Sequence, residues 1–137
     1  MNEQFPRAKS AIVSTATYGM GEAPGLESID LLAHASIRAL AKVGLTPSDV
    51  DGVFTGMPFD LVSGLSVPEY LGIDPRITDN NRTGGSAFQT MAILAALSLD
   101  AGLCDVALIA YGSNLRSGAG AIAPPPPDPY EQRYKAR

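Results

Sequence analysis

Residues 80–114 read NNRTGGSAFQTMAILAALSLDAGLCDVALIAYGSN, and the fold turns on how they are read. A polar, glycine-broken turn formed by Asn80, Asn81, Arg82, Thr83, Gly84 and Gly85 leads to Ser86, a good N-cap residue by type. Almost nothing in residues 87–103 is charged, which is the profile of a helix buried nearly all round. Gly102 stands where a helix end takes a left-handed residue, and the run DVALIAYG at 105–112 reads as an interior strand closed by glycine. The unit is therefore turn, buried helix, buried strand. Chemistry belongs at the turn, because the first N–H groups of a helix lack intrahelical partners and carry the positive end of the dipole. Two adjacent glycines let a ligand or another backbone come close.

Strand alternating with helix continues upstream. Residues 9–18 (KSAIVSTATY) are β-branched and small and close at Gly19, so they read as a first strand. Between 26 and 43, Ile29, Leu32, Ala33, Ile37, Leu40 and Val43 recur at helical spacing, with Asp30, His34, Arg38 and Lys42 on the opposite stripe and Gly44 as the stop. Pro47 opens a capped turn, residues 51–56 form a second short strand, 67–71 form a helical segment before Gly72, and 77–80 form a strand entering the glycine turn. Such alternation predicts an α/β fold with parallel pairing and right-handed crossovers. The strands fall near 10–17, 52–56, 77–80 and 105–111, and the helix at 86–102 is buried against them. A domain is expected over residues 1–118. Residues 119–137, which carry four consecutive prolines at 124–127, are expected to be an extended tail, with a linker favoured over a ligand for a proline-reading domain.

Composition excludes several functions. The chain has 137 residues, enough for one domain, and is 45% hydrophobic and 18% charged, as soluble globular proteins are. A net charge of −4 with scattered lysines and arginines leaves no basic footprint for nucleic acid. No apolar run is long enough to span a bilayer and the N-terminus has no secretory core, so a cytoplasmic protein is expected. One cysteine and one histidine make neither an internal disulfide nor a metal cluster.

Asn81, Arg82, Thr83, Gly84, Gly85, Ser86 and Ala87, followed by Phe88 and Gln89, resemble the nucleophile loop of thiolases. The stretches 101–108 and 45–53 are similar to the helix end before the next strand and to the first helix exit of that family, and the likeness covers most of residues 9–118. Its nearest look is to the sterol-carrier or lipid-transfer branch. The resemblance implies the N-terminal half of a layered thiolase-like α/β enzyme acting on acyl-CoA, with no cofactor apart from the coenzyme A of the substrate. It also implies a homodimer contact around residues 77–82, or a second thiolase-like half, or both. Gly84 occupies the nucleophile-equivalent position, and Asn81, Gly85 and Ser86 are the substrate-binding candidates. Where the family has its reactive cysteine this chain has a glycine, so ordinary thioester-forming acyl transfer lacks its nucleophile. Aldolase-type carbon–carbon cleavage with a partner half is the expectation. A catalytically inactive assembly subunit is the competing one.

Three other side chains invite a catalytic role. Ser86 sits in no GxSxG elbow and suits an N-cap better. Cys104 falls at the far end of the helix, on the order of 25–30 Å from the turn at about 1.5 Å per residue, where a buried inert thiol is expected. His34, between Asp30 and Arg38, belongs to a solvated i,i+4 ladder.

Overall fold

The computed structural model describes residues 9–117. In chain order it contains α1 (Ser28–Ala41), β1 (Gly52–Thr55), α2 (Ser63–Leu71), β2 (Ile77–Asn80), α3 (Ala87–Asp100) and β3 (Ala107–Ala110), with 3-10 turns at Pro47–Asp49, Gly84–Ser86 and Leu115–Ser117. The sheet is parallel throughout, in the order β2-β1-β3, with Gly52 opposite both Ile77 and Ala107. α1 and α2 cover one face and α3 the other.

Side-chain alternation along β1 divides the core. Val53 points towards α1 and α2, into a cluster with Leu32, Leu40, Val67 and Leu108. Phe54, only 1% exposed, points the other way and is gripped by Ala87, Met91 and Ala95 of α3. The two alanines, two turns apart on either side of Met91, let that helix lie close on the ring. Gly112 permits a second close approach, since a Cβ there would collide with the carbonyl oxygen of Ser28 at the start of α1.

Asp51 fastens the sheet at its N-terminal end. Its carboxylate accepts the N–H groups of Asp105 (2.9 Å) and Val106 (2.8 Å) and pairs with Arg76 (3.1 Å), while its own carbonyl accepts the N–H of Arg76 (2.8 Å). Arg76 in turn donates to the carbonyl of Gly102 (2.8 Å), where α3 ends. Burial alone would raise the Asp51 pKa, but the two N–H groups and the guanidinium outweigh it and hold the carboxyl below its usual range.

The structure corrects the sequence reading in four places. Residues 10–18 are not a strand: among the described residues their main chain joins no sheet, because no strand lies against them. They are held instead by side chains, Ser14 donating to the Ala39 carbonyl (2.7 Å), Lys42 to the Thr15 carbonyl (2.7 Å), and Lys9 pairing with Asp100 (2.7 Å). The helix expected to be buried nearly all round is buried along one stripe, Ala87, Met91, Ala95 and Ser98, and leaves Ile93 48% and Leu97 41% exposed, because these residues supply a layer on only one side of it. On α1 the buried stripe is Leu31, Leu32, Ala33, Ser36 and Leu40, rotated from the expected face so that Ile37 and Val43 lie exposed. Ser36 pays little for its burial, as its hydroxyl donates to the Leu32 carbonyl. α2 begins at Ser63, ahead of the expected 67. Residues 119–137, expected to be a tail, lie outside the described residues.

A carboxyl whose pKa is lowered by folding contributes stability that is complete above its unfolded value, about 3.9, and is lost as pH falls through the folded value. Asp51→Asn is therefore expected to lower stability by about 2 kcal/mol at pH 7. The difference from the native chain should shrink below about pH 4 in urea titrations; a difference that stays constant down to pH 3 would contradict the role given to the charge.

Candidate functional site

The C-terminal ends of the strands gather the polar residues singled out above. Beyond β1, Met57 donates its N–H to the Ser63 hydroxyl (3.4 Å), and that hydroxyl donates to Asn80 Oδ1 (2.8 Å) at the end of β2. The Asn80 amide also donates to the Leu61 carbonyl (2.6 Å), so the loop after β1, the start of α2 and the end of β2 form one unit. Asn81 prolongs the ladder by donating its N–H to the Thr55 carbonyl (2.9 Å). Gly56 makes room for it, since a Cβ there would run into the carbonyl oxygen of Asn81.

From this anchored strand end the chain turns into α3. Asn81 Oδ1 accepts both the N–H (3.1 Å) and the hydroxyl (2.7 Å) of Thr83, a side-chain turn that fixes Asn81 rather than leaving it free. Arg82 reaches back to the Pro58 carbonyl (2.8 Å). Gly84 has φ +75°, in the left-handed region, and a Cβ built there or on Gly85 meets nothing within 4 Å. Gly84, Gly85 and Ser86 are all exposed at the head of α3. Glycine at 84 is thus required by the backbone, and the space beside it is open.

The four residues proposed from sequence therefore lie on one turn at a helix N-terminus, Gly84, Gly85 and Ser86 exposed and Asn81 half-buried. Ser86 occupies the cap position of α3, but its side chain makes no capping bond; its hydroxyl donates to the Thr83 carbonyl (3.3 Å), because Gly84–Ser86 form a 3-10 turn that carries the helix backwards. Cys104 is remote and buried. Burial and then the charge of Asp51 push its thiol pKa up. His34 is exposed and stacks on Tyr18, with ring centroids 4.4 Å apart, while Arg38 covers the same Tyr18 ring at 4.5 Å. The expected ladder is present only in part: Asp30 takes its hydrogen bonds from Tyr70 and from the Glu27 N–H.

Two polar atoms that the sequence did not flag border this region. Thr55 Oγ1, at the end of β1, and Asp79 Oδ2, on β2, are enclosed without a hydrogen-bond partner. Both sit inside strands, where periodicity marks only which face a residue takes. Among the described residues there is no group of three or more His, Cys, Asp or Glu placed to hold a metal, and no helix long and apolar enough to cross a membrane.

The chain is similar to known proteins. The chain is 31% identical over 111 residues, 80% of its length, to the 17-hydroxy-3-oxo-4-pregnene-20-carboxyl-CoA lyase of Mycobacterium tuberculosis. It also superposes on a chain of the Ltp2–ChsH2(DUF35) aldolase with a TM-score of 0.71 at 28% identity, covering 81% of this chain. A shorter likeness, over 54% of this chain at 32% identity with a TM-score of 0.42, is to AbyA1, a tetronic acid condensing enzyme. No protein-family model matches the chain. The chain spans under a third of the first two relatives, 28% of the lyase and 29% of the aldolase chain.

A thiol placed at 84 would test the turn. Gly84→Cys has open space but a left-handed backbone, which costs an L-residue about 1–2 kcal/mol. The helix N-terminus should bring the new thiol below the free value of about 8.5, so it is expected to alkylate near neutral pH faster than a free-cysteine peptide. Cys104 should stay unlabelled in the same mass-spectrometric map. Labelling no faster than the peptide, or mainly at Cys104, would remove the special character of the turn.

Proposed function

We propose that this chain is the nucleophile-loop half of a thiolase-type acyl-CoA enzyme that has given up thiolysis and cleaves a carbon–carbon bond in a hydroxyacyl-CoA. The observation that carries the reading is Gly84: the turn keeps the open space and the helix N-terminus of an acyl-CoA site but offers no thiol. The similarity to a carboxyl-CoA lyase and to an aldolase chain supports the direction of the chemistry.

In such a retro-aldol step a base takes the proton of the hydroxyl two carbons from the thioester carbonyl. The carbon bearing it becomes a carbonyl, and the bond to the α-carbon breaks. The electron pair passes into the thioester as an enolate, and the α-carbon then takes a proton from an acid. No covalent acyl-enzyme is needed. The N–H groups at the head of α3 bound the thioester and favour the negative charge that grows on its oxygen. The missing Cβ atoms of Gly84 and Gly85 leave room for the acyl chain, and Asn81, pinned by Thr83, shapes the wall. The turn itself, residues 80–87, has no carboxylate, histidine or lysine, so the acid and base come from a partner half. Self-association through residues 77–82 belongs to the same proposal, since among the described residues β2 pairs only with β1 and its outer edge is open.

The test is product analysis of the chain assembled with its partner half. A 3-hydroxyacyl-CoA is expected to yield a ketone or aldehyde and a shortened acyl-CoA in equal amounts, without consumption of free coenzyme A. Gly85→Val should slow this at least tenfold with little change in stability, since position 85 is exposed and unstrained. Coenzyme A-dependent cleavage of a 3-oxoacyl-CoA would contradict the proposal, and no turnover of either substrate by a stable assembly would favour the structural subunit.

A further inference from the structure

Arg38 and Lys42 stand one turn apart at the end of α1 and border a hollow of about 490 Å³, whose remaining lining is Ala41 with Ala16 and Thr17 of the extended N-terminal segment. Residues 13–18 alternate against the helix: Ser14, Ala16 and Tyr18 are half-buried, while Val13, Thr15 and Thr17 are exposed. That segment holds both cations. The Arg38 guanidinium lies over the Tyr18 ring, 4.5 Å from its centroid, His34 stacks on the same ring, and Lys42 donates to the Thr15 carbonyl (2.7 Å). A guanidinium resting on a ring by its face keeps its in-plane N–H groups free. Neither cation has a carboxylate. Among the described residues the Arg38 side chain makes no hydrogen bond or ion pair, whereas Lys9 is paired with Asp100 and Arg76 with Asp51 and Asp105. Asp30, the acid on the same stripe, lies about 12 Å back along the helix at about 1.5 Å per residue, and is engaged by the Tyr70 hydroxyl and the Glu27 N–H. The helix end does not need the pair either. Its last four carbonyls are satisfied without a cationic side chain: that of Arg38 by the Lys42 N–H, that of Ala39 by the Ser14 hydroxyl, that of Leu40 by the N–H groups of Val43 and Leu45, and that of Ala41 by the Gly44 N–H. Like charges four residues apart weaken a helix, and this pair is kept in a chain whose net charge is −4.

We infer that the hollow between α1 and residues 16–17 is a binding site for a phosphomonoester carried by a small soluble molecule. A guanidinium edge and an ammonium on successive turns match a phosphate, the first as a two-pronged donor and the second as a point charge. A single carboxylate would engage the guanidinium and leave the ammonium unmatched, whereas a phosphomonoester offers three oxygens and close to two charges. The hollow is larger than one phosphate group and falls in the size range of small-molecule pockets, so it has room for the body that carries the phosphate. Thr17 adds a hydroxyl to the lining, and Ala16 and Ala41 keep the space between the cations clear. The hollow shares no residue with the glycine turn, and the inference does not depend on the reaction assigned there.

The test is NMR titration of the 137-residue chain with inorganic phosphate, then with coenzyme A and with dephospho-coenzyme A, chloride keeping the ionic strength constant because exposed charges are screened by salt. Phosphate is expected to shift the amides of Ala16 and Thr17 and the side-chain signals of Arg38 and Lys42 saturably, with half-saturation at about 1 mM. Arg38→Gln should weaken binding at least tenfold. Arg38→Lys, which keeps the charge and loses the two-pronged donor, should weaken it at least threefold, as should Lys42→Gln, which keeps a donor for the Thr15 carbonyl. Arg116→Gln, an exposed arginine outside the hollow, should leave binding unchanged, and all four variants should keep the circular dichroism of the native chain. Binding of coenzyme A at least tenfold tighter than phosphate, lost in dephospho-coenzyme A, would support the site and assign its ligand to the coenzyme's own monoester. Coenzyme A binding no tighter than phosphate would support the site and assign it to another phosphomonoester. Shifts that grow linearly with phosphate to about 20 mM, that chloride alone reproduces, or that survive Arg38→Gln would overturn the inference and leave the pair as a solvated face.

Discussion

The Asp51 carboxylate is the fixed point of the structure. It binds the entry of β3 through two N–H groups, the entry of β2 through Arg76, and stands at the head of β1. With the N-terminal ends of three parallel strands held together, the opposite ends are where the connecting loops are free to build a site. In open parallel sheets that is where ligands bind. The bonds at that end, Asn81 to Thr55 and Ser63 to Asn80, carry the ladder into the glycine turn, and Gly56 allows the close approach they require. The position of Gly84 is thus set by backbone contacts that begin at the far end of the sheet.

Much of this was legible in the residues. Residues 77–80 were expected to be a strand and are β2; Gly44, Gly72 and Gly102 mark helix ends with positive φ, as their type suggested. The candidate residues Asn81, Gly84, Gly85 and Ser86 do share one turn, since nothing tertiary was needed to bring them together. What escaped the sequence depended on neighbours. Residues 9–18 have strand composition, but a strand needs an edge to bond, and the nearest edge is across an open slot. The apolar run at 87–103 measured how much surface must eventually be covered, not how much these residues cover by themselves. Ser86 was assigned a cap by type, and the 3-10 turn before α3 changed its partner. Gly56, Thr55 and Asp79 owe their significance to distances between segments and leave no periodic trace.

The exposed stripe of α3 and the outer edge of β3, which among the described residues pairs only with β1, are separate apolar and polar surfaces left uncovered by the described residues. An exposed apolar helix face beside an unpaired strand edge is uncommon in a self-sufficient domain. The similarity to chains more than three times as long as the matched stretch agrees with this. The proposed chemistry needs the same thing for an independent reason, because the turn offers space and N–H groups but no acid or base.

The most direct measurement is photoaffinity mapping of the assembled protein with an acyl-CoA carrying a diazirine next to the thioester. The account predicts that the label is confined to the turn, on residues 81–86, and is displaced by unlabelled acyl-CoA. Labelling concentrated on α1 around Arg38 and Lys42, or spread without displacement, would contradict it.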